Sequence, residues 1–162
     1  MKTVLKWAGI VVGGLVGVII VAVIVRYLLG SSRVGKTYDI QVESIAVPSG
    51  PEAVERGRHY VEAIVACGIC HGDNLEGDIL SEDPLFATLA APNLTSGLGG
   101  IGSTYTDIDY VRTIRHGVKP DGTSVVLMPS QHFNRIGDDD LGAMSAYFKS
   151  CLLYTTVAAD AK

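Results

Sequence analysis

The chain has 162 residues, 48% of them hydrophobic, and a formal charge of −4, which suits one modest domain plus an appendage rather than a multidomain enzyme. Every one of the seventeen acidic residues lies beyond Lys36, together with only eight basic ones, so that part carries −9. Nucleic acid is excluded as a natural partner for such a surface, whereas a basic docking surface on another protein suits it.

Residues 7–25 contain no charged side chain. As a helix, these nineteen residues span roughly 28 Å of hydrocarbon. The stretch is longer than the apolar part of a cleaved signal peptide and is followed by Arg26 rather than small residues, so residues 1–30 are read as a transmembrane anchor. Trp7 and Tyr27 flank it as interfacial aromatics. Gly9, Gly13 and Gly17 share one helical stripe, the spacing that lets another membrane helix approach closely, although glycine is also simply common in membrane helices.

Residues 31–51 read as a linker, with an alternating Tyr38, Ile40, Val42 stretch suited to a short strand. A domain is expected over 52–152 and a tail over 153–162. The domain opens with a predicted helix whose Val54, Tyr60, Val61, Ile64 and Val65 form one apolar stripe. Residues 95–103 form a Gly-rich loop. A second helix starts at Thr106, which Asp109 completes as a capping box, and stops at Gly117. A third starts near Asp138, where three acids favour the positive end of a helix, and buries Leu141, Met144, Tyr147 and Phe148. No sheet is visible.

The first helix leads into Cys67, Cys70 and His71, a C-x-x-C-H run. At this spacing two thiols add to the vinyl groups of haem and the adjacent imidazole reaches the iron. A thioredoxin-like pair would need a βαβ context that the flanking sequence lacks. A zinc site would need further ligands, and Cys151 and the other histidines stand at no paired spacing. One covalently attached haem c is therefore expected.

Three methionines compete for the other axial position of the iron, where a thioether raises the potential. Met1 lies across the membrane, Met144 belongs to a core face, and Met128 precedes Pro129 in an irregular segment suited to aiming a side chain. His59, His116 and His132 are the alternatives, His132 being nearest to Met128.

Taken with Arg56-Gly57-Arg58-His59-Tyr60, Ala91-Pro92-Asn93-Leu94-Thr95, the run of residues 114–122, Met128-Pro129 and Ala146-Tyr147-Phe148, the chain resembles the class I, mitochondrial-type cytochromes c. The resemblance implies an all-α domain around one haem, preceded by a single membrane helix. It implies thioethers at Cys67 and Cys70, iron ligation by His71 and Met128, and haem contacts from Pro92 and Leu94. The Pro92 carbonyl would orient His71, and Gly57 and Tyr60 would meet Tyr147 where the first and last helices cross. Gly137 departs from the hydroxyl cap of many relatives, with Asp138 expected to cap instead, and Cys151 is an unpaired extra thiol.

The resemblance further implies single-electron relay without catalytic chemistry of the chain's own. The expected setting is a bacterial cytoplasmic membrane, with the amino terminus inside and the haem domain outside. The expected partners are integral-membrane subunits on the glycine face and other redox proteins. Respiratory or photosynthetic complexes such as alternative complex III are one home and periplasmic dehydrogenases another. A haem enzyme or gas sensor with an open sixth position is the reading of a different class.

Overall fold

The computed structural model describes residues 2–83 and 87–151. The expected tail over 153–162 lies outside them. Helix α1 runs Lys2–Val34, and within it Lys2–Arg33 is long and apolar enough to cross a membrane. Its large apolar side chains from Val4 to Leu29 are exposed.

The domain is built on α2 (Pro51–His59), α4 (Asp107–His116) and α6 (Asp138–Ser150), with one-turn helices α3 (Gly68–His71) and α5 (Ser130–Phe133) between them. Pro51 begins α2, where its missing N–H costs no helical bond. The α4 boundaries follow local chemistry. Thr106 and Asp109 form a reciprocal capping box, and Gly117 closes the helix in the left-handed region at φ 66°.

Packing centres on α6. Leu141, Met144 and Phe148 bury themselves against Val61, Tyr110, Val111 and Ile114, each apolar side chain stabilising the domain by about 1.5–3 kcal/mol relative to exposure. The Tyr110 and Phe148 rings stack with centroids 5.4 Å apart. Where α2 crosses α6, Gly57 sits against the Ala143 backbone and Tyr147, and a Cβ at 57 would overlap the Ala143 carbonyl. Tyr60 packs on the same core.

Three expectations are corrected. The described residues are not all helical, because β1 (Asp78–Asp83) and β2 (Ala87–Ala91) pair antiparallel with an irregularity between Ile79 and Ser81. Most of β1 is exposed, so its pairing is satisfied locally and leaves no alternating apolar pattern to read. The apolar stripe of the first helix breaks at Ile64, which is 61% exposed while Val61 is fully buried. A π turn over Tyr60–Ile64 changes the phase there. Finally, Gly137 rather than Asp138 occupies the cap of α6, without a side-chain cap bond. The Asp138 carboxylate instead accepts a hydrogen bond from Arg115 Nη2 at 2.8 Å.

The segment before α2 is seated on the domain. Thr37 bridges Thr123, the Tyr38 N–H donates to the Gly122 carbonyl at 2.8 Å, and Val42 and Ile45 pack on the core.

Candidate haem-binding site

Cys67, Cys70 and His71 occupy the single turn α3 and the residue before it. The Cys67 carbonyl accepts from the amides of Cys70 and His71, which gathers all three side chains on one turn. Ala66 enters this turn with φ 54°, a left-handed conformation unusual for a residue with a Cβ. None of the three cysteines is paired in a disulfide. Cys70 is exposed, whereas Cys67 is half-buried against the core and burial pushes its thiol up to about 11.

His71 is oriented by tertiary structure. Its Nδ1 lies 2.8 Å from the Pro92 carbonyl oxygen, and a carbonyl only accepts, so Nδ1 is the donor and Nε2 keeps its lone pair. That is the protonation pattern an iron-binding imidazole requires. Burial lowers the His71 pKa, and the Pro92 bond opposes the shift without reversing it. The neutral ring is therefore favoured.

Pro92 reaches His71 because the chain doubles back closely. The Gly77 N–H donates to the His71 carbonyl at 2.7 Å, and the Leu94 N–H to the Leu75 carbonyl at 2.8 Å. Gly77 has φ 89°, and a Cβ there would lie 2.8 Å from the Asn93 nitrogen, so only glycine lets residues 91–93 come this near. Leu94 is half-buried on the core.

Met128 is half-buried and packs against the same core cluster, in the irregular segment between α4 and α5. Met144 is fully buried inside α6. His59, His116 and His132 are exposed. Cys67, Leu94 and Met128 thus border one apolar core, with His71 beside it through Pro92.

Two residues here had no role assigned from sequence. Asn93 is 2% exposed and its Oδ1 accepts from the Thr95 N–H at 2.8 Å. Arg115 donates from Nη2 to both the Ile136 carbonyl and Asp138, which ties α4 to the start of α6. The Arg115 partners, twenty-one and twenty-three positions away, leave no local signal. Asn93 Nδ2, Tyr110 OH and Arg115 Nε are buried with no hydrogen-bond partner among the described residues.

The donor set fits haem c: two free thiols, a neutral imidazole with Nε2 available, and a thioether on the same apolar core. No protein-family model matches the chain. Sequence relatives include the fructose dehydrogenase cytochrome subunit of Gluconobacter japonicus, 29% identical over 104 residues, or 59% of this chain and 20% of that protein. The cytochrome c subunit of a quinone alcohol dehydrogenase from Gluconobacter oxydans is 31% identical over 105 residues, 60% of this chain and 21% of that protein. The gluconate 2-dehydrogenase cytochrome c subunit of Pantoea cypripedii is 29% identical over 103 residues, 59% and 22% of the two chains. The chain spans about a fifth of the length of these curated relatives. Over its matched region it is similar to cytochrome c subunits of bacterial dehydrogenases.

Proposed function

We propose that this chain is a membrane-anchored monohaem c-type cytochrome that relays single electrons as a subunit of a larger oxidoreductase complex. The observation that carries the reading is the His71 imidazole, fixed through Nδ1 by the Pro92 carbonyl directly after two unpaired thiols. Cys67 and Cys70 would hold the haem through thioethers, His71 and Met128 would ligate its iron, and Pro92 and Leu94 would border the group. When bound, haem supplies one-electron exchange between ferric and ferrous iron. The protein's contribution is to fix the imidazole tautomer, to place a thioether against the apolar core, and to keep the site on a membrane-tethered domain.

The named relatives are cytochrome subunits of dehydrogenases, which fits a dehydrogenase-type complex, in which the chain would take electrons from a catalytic subunit and pass them on at the membrane. A quinol-oxidising respiratory or photosynthetic complex is the other home for the same relay. We assign α1 to a single span with its amino terminus in the cytoplasm and the domain outside. The Gly9, Gly13 and Gly17 stripe packs on an integral-membrane subunit.

Acid extraction of the denatured chain tests the cofactor: one haem per polypeptide stays with the protein, and its loss into the organic phase contradicts the reading. Gentle detergent extraction identifies the home through the co-purifying chain, expected to be a dehydrogenase catalytic subunit. Recovery of the chain alone and fully active overturns the subunit assignment.

A further inference from the structure

The segment that joins the anchor to the domain is bound to the loop that carries Met128. Only Gly35 and Lys36 separate α1 from Thr37, three Cα–Cα steps that reach at most about 11 Å. Thr37 then bridges Thr123, and the Tyr38 N–H donates to the Gly122 carbonyl at 2.8 Å. Beyond this point Val42 and Ile45 pack on the core, and the Ala46 carbonyl lies over Gly142 of α6.

The loop gripped by Thr37 and Tyr38 is itself a small hydrogen-bonded unit. Val118 bridges Ser124, the Lys119 N–H donates to the Thr123 carbonyl at 2.8 Å, and the Gly122 N–H returns to the Lys119 carbonyl at 2.9 Å. The Val125 N–H donates to the Gly117 carbonyl at 2.9 Å. Met128 follows three residues later, with no helix or strand between. The only regular pairing that residues 121–125 make outside their own turn and α4's end is the one to Thr37 and Tyr38, among the described residues.

We propose that residues 37–48 are a positioning strap, with Tyr38 its key residue, holding the Met128 loop in place. The backbone N–H of Tyr38 and the apolar grip of Val42 and Ile45 fix the loop against the core. Membrane helix, strap and thioether loop then form one continuous path, so the position of the thioether is coupled to the seating of the strap. This rests on Met128 being the iron's sulfur ligand, as read above.

The test uses the full-length, haem-loaded chain in detergent with three variants. Tyr38→Pro removes the N–H donor, Ile45→Ser loosens the strap at a separate place, and Tyr38→Phe keeps the N–H. Amide exchange at Lys119, Gly122 and Val125 is expected to rise about tenfold in Tyr38→Pro, the scale of one lost backbone hydrogen bond. The sulfur-to-iron charge-transfer band of the oxidised protein is expected to weaken in Tyr38→Pro and Ile45→Ser and to stay unchanged in Tyr38→Phe. Unchanged exchange in both loosening variants overturns the proposal, as does faster exchange with an unaltered band. If Tyr38→Pro does not fold, Ile45→Ser decides by the same two readouts. Absence of the band in the unmodified chain refutes Met128 ligation itself, a failure separate from that of the strap, which the exchange rates still report.

Discussion

Gly57 of α2 lies directly against the Ala143 carbonyl of α6, and this contact sets how closely the two helices cross. A methyl at position 57 would overlap that oxygen and lie 2.9 Å from Tyr147 Cβ. Gly57→Ala is therefore expected to lower stability by about 1–3 kcal/mol, the range for overpacking a close contact. Its gain in helix propensity, about 1 kcal/mol, does not compensate fully. A denaturation midpoint followed by circular dichroism checks this, and an unaltered midpoint contradicts the crossing.

Ala66 enters the Cys67–His71 turn at φ 54°. For a residue with a Cβ this conformation costs about 1–2 kcal/mol. Ala66→Gly removes that strain and is expected to stabilise the domain by about 0.5–1 kcal/mol after its greater backbone entropy is charged against it. Ala66→Val should do the opposite. Thermal unfolding of the two variants, measured side by side, must show shifts of opposite sign.

The two domain methionines separate ligation from packing. Met144 is fully buried in α6, so Met144→Ala is expected to cost about 2–5 kcal/mol while leaving the oxidised charge-transfer band in place. Met128 is half-buried on the edge of the core, and Met128→Ala should abolish the band and lower the reduction potential. A band that survives Met128→Ala would point to a different sulfur ligand, whereas a band absent from the unmodified protein would support an open or histidine-filled sixth position.

Cys151 supplies a thiol count. With thioethers at Cys67 and Cys70, the denatured protein must titrate as one thiol per chain, whereas three indicate that no haem was attached. In the native protein Cys151 is half-buried and burial raises its pKa, a shift that the Tyr147 hydroxyl only partly opposes. A raised pKa moves the thiolate to higher pH, so alkylation of native Cys151 should climb at a more alkaline pH than that of the denatured chain. Rates against pH in both states provide the check.

Lys149 pairs with Asp107, both exposed, and exposed Arg56 pairs with partly buried Asp140, 2.5 Å apart. Arg56→Gln is expected to change stability by less than about 1 kcal/mol. A double-mutant cycle with Asp140→Asn measures the coupling directly.

Local chemistry was enough to read α4, because Thr106, Asp109 and Gly117 satisfy the helix ends with residues three or so positions away. It was also enough for the apolar run of α1 and for the cysteine and histidine spacing of α3, both of which are patterns along the chain. The hairpin of β1 and β2 escaped because most of β1 faces solvent and carries no alternation. The π turn at Tyr60 escaped because an apolar residue at 64 satisfies the helical period whether or not the backbone keeps it.

By itself, the sequence determined which atoms are available: two thiols and an imidazole on one turn, an apolar span, and an acidic domain. Tertiary structure alone decided how they are used. The tautomer of His71 depends on Pro92, twenty-one residues away, and that approach requires Gly77 against Asn93. The pairing of Thr37 with Thr123 and of Tyr38 with Gly122 joins positions more than eighty apart. Hydrogen bonds and close contacts of this kind act through space, and their partners carry no mark of one another along the chain.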